Sequence, residues 1–332
     1  MDLLAKMSSC RRRVFTVIFL LLFAGLLPSY GYAPTLLLGL YGQEFFSGDQ
    51  TGQAGIRGSA LLSWRVLMGE SASLSLYGRS IAEFSPLRSG QFYDSHTLAL
   101  EALVRGEGRR VSLEGGLSGS GYGTFEDQAP YLRPDWRVSF ERLGEVTLTS
   151  VACSGYYLYE PFGSEDALFQ GLTAGLFMDP SIRLRYGMEI LAGWEYWTEQ
   201  DRHDLLGSLN ASAGGLIGYF IDWGIAAEIG LRWPQNSGER NPYFSLHTDW
   251  AWSPHRQVSL ELGAFARDDL YLGPATGVES YELSTGFDFR GDWTPNDRLY
   301  LVAELSAACR FADDPPQERW SVTARTGVEF SF

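Results

Sequence analysis

Lysine is almost missing from this chain. Lys6 is the only one, and every other strongly basic side chain is arginine. Cysteine is scarce at 3 and histidine at 4, with no Cys-x-x-Cys and no cysteine–histidine spacing that would hold zinc. The few cysteines supply no disulfide framework either. No apolar run in the body reaches the ~18 residues that a membrane-spanning helix needs. Blocks with a helical period are few, which argues against a helical fold. The formal net charge is −14, and an acidic balance disfavours nucleic acid as a partner.

What the chain does have begins with one greasy stretch. Val14 to Leu27 reads VFTVIFLLLFAGLL, follows Arg11 to Arg13 and is ended by Pro28. A basic head, a short apolar middle and small residues after it read as a secretory signal over residues 1–31, cut after Gly31. Its removal would take away Cys10 and leave Cys153 and Cys309.

From residue 34 to 332 the text changes. Glycine is plentiful at 38, and aromatics make up 14%. Apolar and polar residues alternate in runs of about ten, the period of a β-strand with one face in each of two environments. At the end of the chain Trp320, Val322, Ala324, Thr326, Val328, Phe330 and Phe332 share one face, against Ser321, Thr323, Arg325, Gly327, Glu329 and Ser331. The stretches around Leu299–Ala307, Tyr281–Phe289, Ile221–Leu231 and Ile182–Ile190 repeat the pattern. The chain divides into about sixteen such segments, of which the first, third, seventh and eighth alternate poorly, so that a count of about fourteen is the alternative.

The connections alternate between short (MGES, GEGR, MDPS, SPHR, TPND) and longer (SPLRSGQFYD, EPFGSEDA, PQNSGERN, DDLYLGPATGVE, ADDPPQE). In DWAWSPHRQVSL and GDWTPNDRLYL a tryptophan precedes a proline that is expected to set a tight turn. Short turns on one rim and longer loops on the other are the habit of membrane barrels. A soluble sandwich also alternates, but here the apolar rows end in aromatics: Trp64, Trp223, Trp252 and Trp293, then Tyr196, Trp233 and Trp320. Such girdles mark the two interfaces of a bilayer. A sheet that spans hydrocarbon must close, because each unpaired backbone group there costs several kcal/mol. The expected fold is therefore an all-β, antiparallel, up-and-down transmembrane barrel over residues 34–332.

The last residues, RTGVEFSF, carry a resemblance. Arg325, Gly327, Phe330 and Phe332 fill the four places of the C-terminal signal of bacterial outer-membrane barrels: a polar residue, a glycine two on, then two hydrophobics, the second ending the chain. The resemblance implies location in the bacterial outer membrane. It also implies contact with its lipids and reading of the final strand by the barrel-assembly machinery. It reaches no single family.

If the polar rows face inward, the wall of a lumen carries Arg57, Arg65, Arg79, Glu101, Arg105, Glu114, Arg183, Arg185, Glu189, Glu228, Asp249, Glu261, Asp288, Arg290, Glu304, Arg310, Arg325 and Glu329. Charged walls around water select solutes; a network of ion pairs that stabilises or closes the barrel is the competing reading. The expected function is passive diffusion of small hydrophilic solutes, with a surface structural or adhesive barrel as the alternative and a rim enzyme as a third. Acidic clusters at Glu160, Glu165 and Asp166, at Asp268 and Asp269, and at Asp313 and Asp314 are expected on loops, without calcium-loop spacing. His247 and Asp249 share a strand face, where an aspartate can orient a histidine base. No Gly-x-Ser-x-Gly accompanies them. No enzyme activity, cofactor or metal is expected, and a monomer is.

Overall fold

The computed structural model describes residues 35–332, apart from 48–49, 86–90, 121–130, 161–165, 182, 199–200, 235–239, 273–277 and 314–315. The signal expected over residues 1–31 lies outside the described residues. The strands are β1 (Thr35–Ser47), β2 (Gln50–Met68), β3 (Ala72–Ser85), β4 (Gln91–Gly106), β5 (Arg109–Ser120), β6 (Tyr131–Leu143), β7 (Thr147–Leu158) and β8 (Ala167–Ser181). They continue as β9 (Leu184–Trp197), β10 (Arg202–Ile217), β11 (Ile221–Pro234), β12 (Asn241–His255), β13 (Val258–Leu272), β14 (Val278–Asn296), β15 (Leu299–Asp313) and β16 (Pro316–Ser331). Each pairs antiparallel with its neighbours in sequence, and β1 pairs with β16, so the sheet is a closed barrel of sixteen strands. At the seam Leu36 and Phe332 exchange backbone hydrogen bonds, N–H of Leu36 to the Phe332 carbonyl at 3.1 Å and the reverse at 2.9 Å.

Because opposed residues in an antiparallel ladder lie on the same face, the register carries each row around the ring. Arg325 is opposite Gln43 on one side and Glu304 on the other, and Glu304 is opposite Arg290. The burial pattern is the reverse of a soluble protein's. Leu40, Ile229 and Ile190 are 63%, 62% and 58% exposed, whereas Glu195 and Asp204 are 5% and 0% exposed. A sandwich core filled by the aliphatic rows is excluded, since those rows form the outer surface. That outer surface suits hydrocarbon. Trp223 and Trp250 pack together with ring centroids 6.5 Å apart near the short-turn rim, and Trp194 and Tyr196 stack near the other.

Several strands run further than the alternation predicts. β13 continues through Asp268 and Asp269 to Leu272, and β14 continues through Pro295 to Asn296. The two tryptophan–proline stretches are not proline-set turns. The register shifts between Trp252 and His255 and between Trp293 and Asn296, so Pro254 and Pro295 sit in bulges, where a missing N–H breaks no ladder bond. The turns themselves are Arg256–Gln257 and Asp297–Arg298. His255 Nδ1 accepts from Gln257 N–H at 3.3 Å, and Asn296 Oδ1 from Arg298 N–H at 3.0 Å. Gly108 supplies a φ of 63° in the turn between β4 and β5, and Gly218 one of 67° between β10 and β11.

Candidate functional site: the inner wall

Which face is concave follows from contacts that step over a strand. Arg290 on β14 reaches Glu329 on β16 at 3.4 Å, past β15. Arg232 on β11 reaches Glu195 on β9 at 2.6 Å, past β10. Arg325 on β16 comes within 4.0 Å of Glu83 on β3. Side chains converge in this way only inside a curved sheet. Every residue of the expected lumen set that belongs to a strand lies on this inner row: Arg57, Arg65, Arg79, Glu101, Arg105, Glu114, Arg185, Glu189, Glu228, Asp249, Glu261, Asp288, Arg290, Glu304, Arg310, Arg325 and Glu329. Arg183 stands in the turn before β9 instead.

The inner charges organise into patches along the wall. The first straddles the seam. The Arg290 guanidinium donates to Asp292 at 2.8 Å, Glu304 at 2.9 Å and Glu329. Arg325 lies 3.6 Å from Glu304 and donates to Gln43 Oε1 at 3.1 Å, and Arg57 lies 3.5 Å from Glu83. The Tyr41 hydroxyl donates to Glu329, tying β1 to β16 through side chains as well as backbone. The second patch lies on β9 to β11. Asp204, wholly buried, accepts from Arg202 at 3.0 Å and Arg232 at 2.7 Å. Glu195 accepts from Arg232, from Trp197 Nε1 at 3.2 Å and from the Tyr156 hydroxyl at 2.5 Å. Both arginines stand over the Trp197 ring, at 5.1 and 5.7 Å. A third patch joins Arg267 to Asp269 at 2.7 Å and lays the Arg267 guanidinium 4.2 Å from the Tyr243 ring centroid, while Tyr243 donates to Glu228 at 2.7 Å. Arg310 with Glu282, Arg110 with Glu141, and Arg185 with Asp222 are further pairs.

Sequence reasoning left Tyr41, Glu83, Arg110, Glu141, Glu195, Arg202, Asp204, Arg232, Arg267, Asp269, Glu282 and Asp292 out of the lumen set. Their parity was the available signal, since each falls on the polar row of its strand. The partnerships over an intervening strand had no sequence signal.

Inward aromatic rings pack over glycines. A Cβ at Gly171 or Gly193 would stand 2.7 Å from the Phe169 ring, and one at Gly175 the same distance from Phe177. A Cβ at Gly286 would meet the Phe265 ring, one at Gly230 the Tyr243 ring, and one at Gly327 the Tyr41 ring. The glycines of the polar rows thus leave the room that these rings occupy. Gly193→Leu is expected to lift Phe169 off the wall and to destabilise the barrel by about 1–3 kcal/mol, the usual scale of overpacking. Urea titration of the gel-mobility difference between folded and boiled protein measures it, and an unchanged midpoint would refute the packing argument.

The acidic clusters need correction. Asp268 and Asp269 are not on a loop: both lie in β13, with Asp269 on the inner row and held by Arg267. Asp313 ends β15, and Asp166 accepts from the Tyr157 hydroxyl at 2.8 Å and from Glu160 N–H at 3.0 Å. Glu165 and Asp314 lie outside the described residues. Of the histidines, His247 and Asp249 form an ion pair on the inner wall. His96 faces outward beside Ser80, and His203 faces outward in a stack with Tyr196 and Trp194. Cys153 and Cys309 sit on the outer face of β7 and β15.

A closed antiparallel ring with an apolar exterior and a charged interior defines a β-barrel of the bacterial outer-membrane type, and the outer membrane is where such a surface belongs. No family model matches the chain, and no curated protein matches it in sequence. Solved structures do match in fold. OpdK of Pseudomonas aeruginosa, solved with vanillate, superimposes with a TM-score of 0.56 at 9% identity, covering 90% of this chain and 99% of that one. OmpT of Vibrio cholerae, expressed in the outer membrane, gives 0.51 at 11% identity, covering 92% and 99%. CdiB from Acinetobacter baumannii gives 0.51 at 9% identity, covering 90% of this chain and 60% of that one.

Proposed function

We propose that the barrel is a passive channel for small hydrophilic solutes, with the inner wall as its selective surface. One observation carries this reading. Among the described residues the inner ion pairs run along the wall, between strands at most three apart, and none crosses from one side of the ring to the other. Pairs of this kind stiffen a wall without bridging the lumen, and sixteen strands enclose enough width for water.

The two sides of the lumen differ in charge balance. From β2 to β6 the arginines Arg57, Arg65, Arg79, Arg105, Arg110, Arg133 and Arg137 outnumber the inward carboxylates Glu83, Glu101, Glu114, Asp135 and Glu141. From β9 to β14 inward carboxylates outnumber arginines, with Glu189, Asp249, Glu261 and Asp288 added to those that Arg185, Arg202, Arg232, Arg267 and Arg290 hold. Opposed charge across a water path orients dipolar solutes. We read the protein as a monomer and its last strand as an assembly signal, and we assign His247 and Asp249 to lumen polarity, without a catalytic role. Purified protein in a planar bilayer is expected to give discrete conductance steps. Silence at every voltage would refute permeation and leave the structural barrel as the better reading.

A further inference from the structure

One polar pair stands on the lipid side of the wall. Ser80 on β3 is directly opposite His96 on β4, and both face outward. Ser80 Oγ lies 2.9 Å from His96 Nδ1. Around them every other outward position is apolar or glycine, from Ile56 to Trp64 on β2, Leu74 to Ala82 on β3, Leu98 to Val104 on β4 and Val111 to Gly119 on β5. A hydroxyl and an imidazole set against hydrocarbon cost free energy that alanine and leucine would not, so the fold alone does not account for them.

The pair lies in a patch of small residues. Ser80 is opposite Ala60 on its other side, and His96 is opposite Gly119. Gly78 and Ala82 flank Ser80 in its own row, and a Cβ at nearby Gly58 would meet nothing within 4 Å. Leu98, Leu117 and Leu132 border the patch and are 45%, 43% and 45% exposed. The leucines are banks, and the floor between them is a shallow recess open to the bilayer. Its depth follows from the strand. His96 is eight positions above Val104, and a strand tilted by about 40° climbs about 20 Å over that length. The apolar band of such a barrel is about 25 Å tall. The pair therefore stands near the loop-side edge of the band, where acyl chains join a lipid headgroup and water has access.

We propose that Ser80 and His96 are a nucleophile and its base for hydrolysis of fatty-acyl esters of membrane lipids. With the ring proton on Nε2, Nδ1 accepts from the Ser80 hydroxyl. Oγ attacks the ester carbonyl carbon as its proton passes to Nδ1. The C–O bond to the lipid alcohol breaks, and that oxygen leaves with the proton from His96. Water then attacks the acyl-serine and gives its proton to Nδ1, and the fatty acid departs as the Ser80 hydroxyl is restored. The acyl chain lies along the recess between the leucines, in continuity with the bilayer. This activity goes beyond the channel reading and needs no open lumen.

The test uses the full chain folded in detergent. It is incubated with mixed micelles of a diacyl phosphatidylethanolamine, or of lipid A with ester-linked acyl chains, and free fatty acid is measured by mass spectrometry. Release is expected from at least one of the two, and the lipid that is cut identifies the source of the ester. Ser80→Ala and His96→Gln should each lower release by at least about a hundredfold while keeping the fast-migrating folded band. Should His96→Gln fail to fold, Ser80→Ala, which removes one oxygen, decides. His247→Ala, on the inner wall, should leave release unchanged. An alkyl fluorophosphonate, from which a serine oxygen displaces fluoride, should add its mass to the peptide that holds Ser80. Absence of release from both lipids overturns the proposal, whether or not the phosphonate reacts. Release that survives Ser80→Ala overturns it as well. Ser80-dependent release without conductance upholds the ester site and removes the channel, and conductance without release does the reverse.

Discussion

Gly327→Ala is expected to abolish the closed barrel. A Cβ at this position would stand 2.6 Å from the Leu40 carbonyl oxygen and would run into the Tyr41 ring. The ring belongs to a side chain and can turn away. The carbonyl belongs to β1 backbone and cannot move without breaking the ladder between Leu37–Ser331 and Ser47–Ser321. An open seam presents two unpaired edges to hydrocarbon, at several kcal/mol for each exposed backbone group. That sum exceeds the total stability of an ordinary domain. Refolding in detergent micelles without any assembly factor isolates the geometric effect from recognition of the C-terminal motif. The variant should show only the slow-migrating, unfolded band on an unheated gel, and removing the ring as well, in Gly327→Ala/Tyr41→Ala, should not restore the fast one. A normal folded band for Gly327→Ala would show that the seam tolerates a side chain here, and the packing account would fall.

The second large effect is expected at Arg290. Its guanidinium serves Asp292, Glu304 and Glu329, whose side chains are 13%, 24% and 8% exposed. Arg290→Leu takes the counter-charge from Asp292 and Glu329 beside the seam and leaves Glu304 with Arg325 alone. Breaking a well-buried ion pair by removing one partner costs about 3–5 kcal/mol. Partial contact with lumen water lowers the expectation to about 2–4 kcal/mol. The urea midpoint for loss of the folded band should fall accordingly. Adding Glu329→Gln should recover part of the loss, because one of the crowded charges disappears, so the double variant should be more stable than the sum of the single losses. Strict additivity would mean that Arg290 and Glu329 act independently, against the network described.

Both effects sit at the join of the first and last strands, and neither was legible in the sequence. Gly327 was singled out as one place of a terminal motif. Its reason for being glycine lies 287 positions upstream, in the Leu40 carbonyl of β1. Arg290 was assigned to the inner row by parity alone. Its partnership with Glu329 exists because closure curves the sheet and brings β14 and β16 within reach over β15.

The alternation by itself determined the fold class, a strand number of about fourteen to sixteen and the face on which each strand residue lies. A period of two in a chain that must satisfy every backbone group in hydrocarbon leaves one architecture, and parity then assigns each side chain to lipid or lumen. The tertiary structure alone decided how far the strands run past the bilayer. It put Asp269 on the wall beside Arg267 instead of in a loop, and Pro254 and Pro295 in bulges. It also decided which inner arginines are neutralised by carboxylates. Those choices depend on register and curvature, which relate residues on different strands, and no local pattern encodes a distance between segments that meet only when the ring is shut.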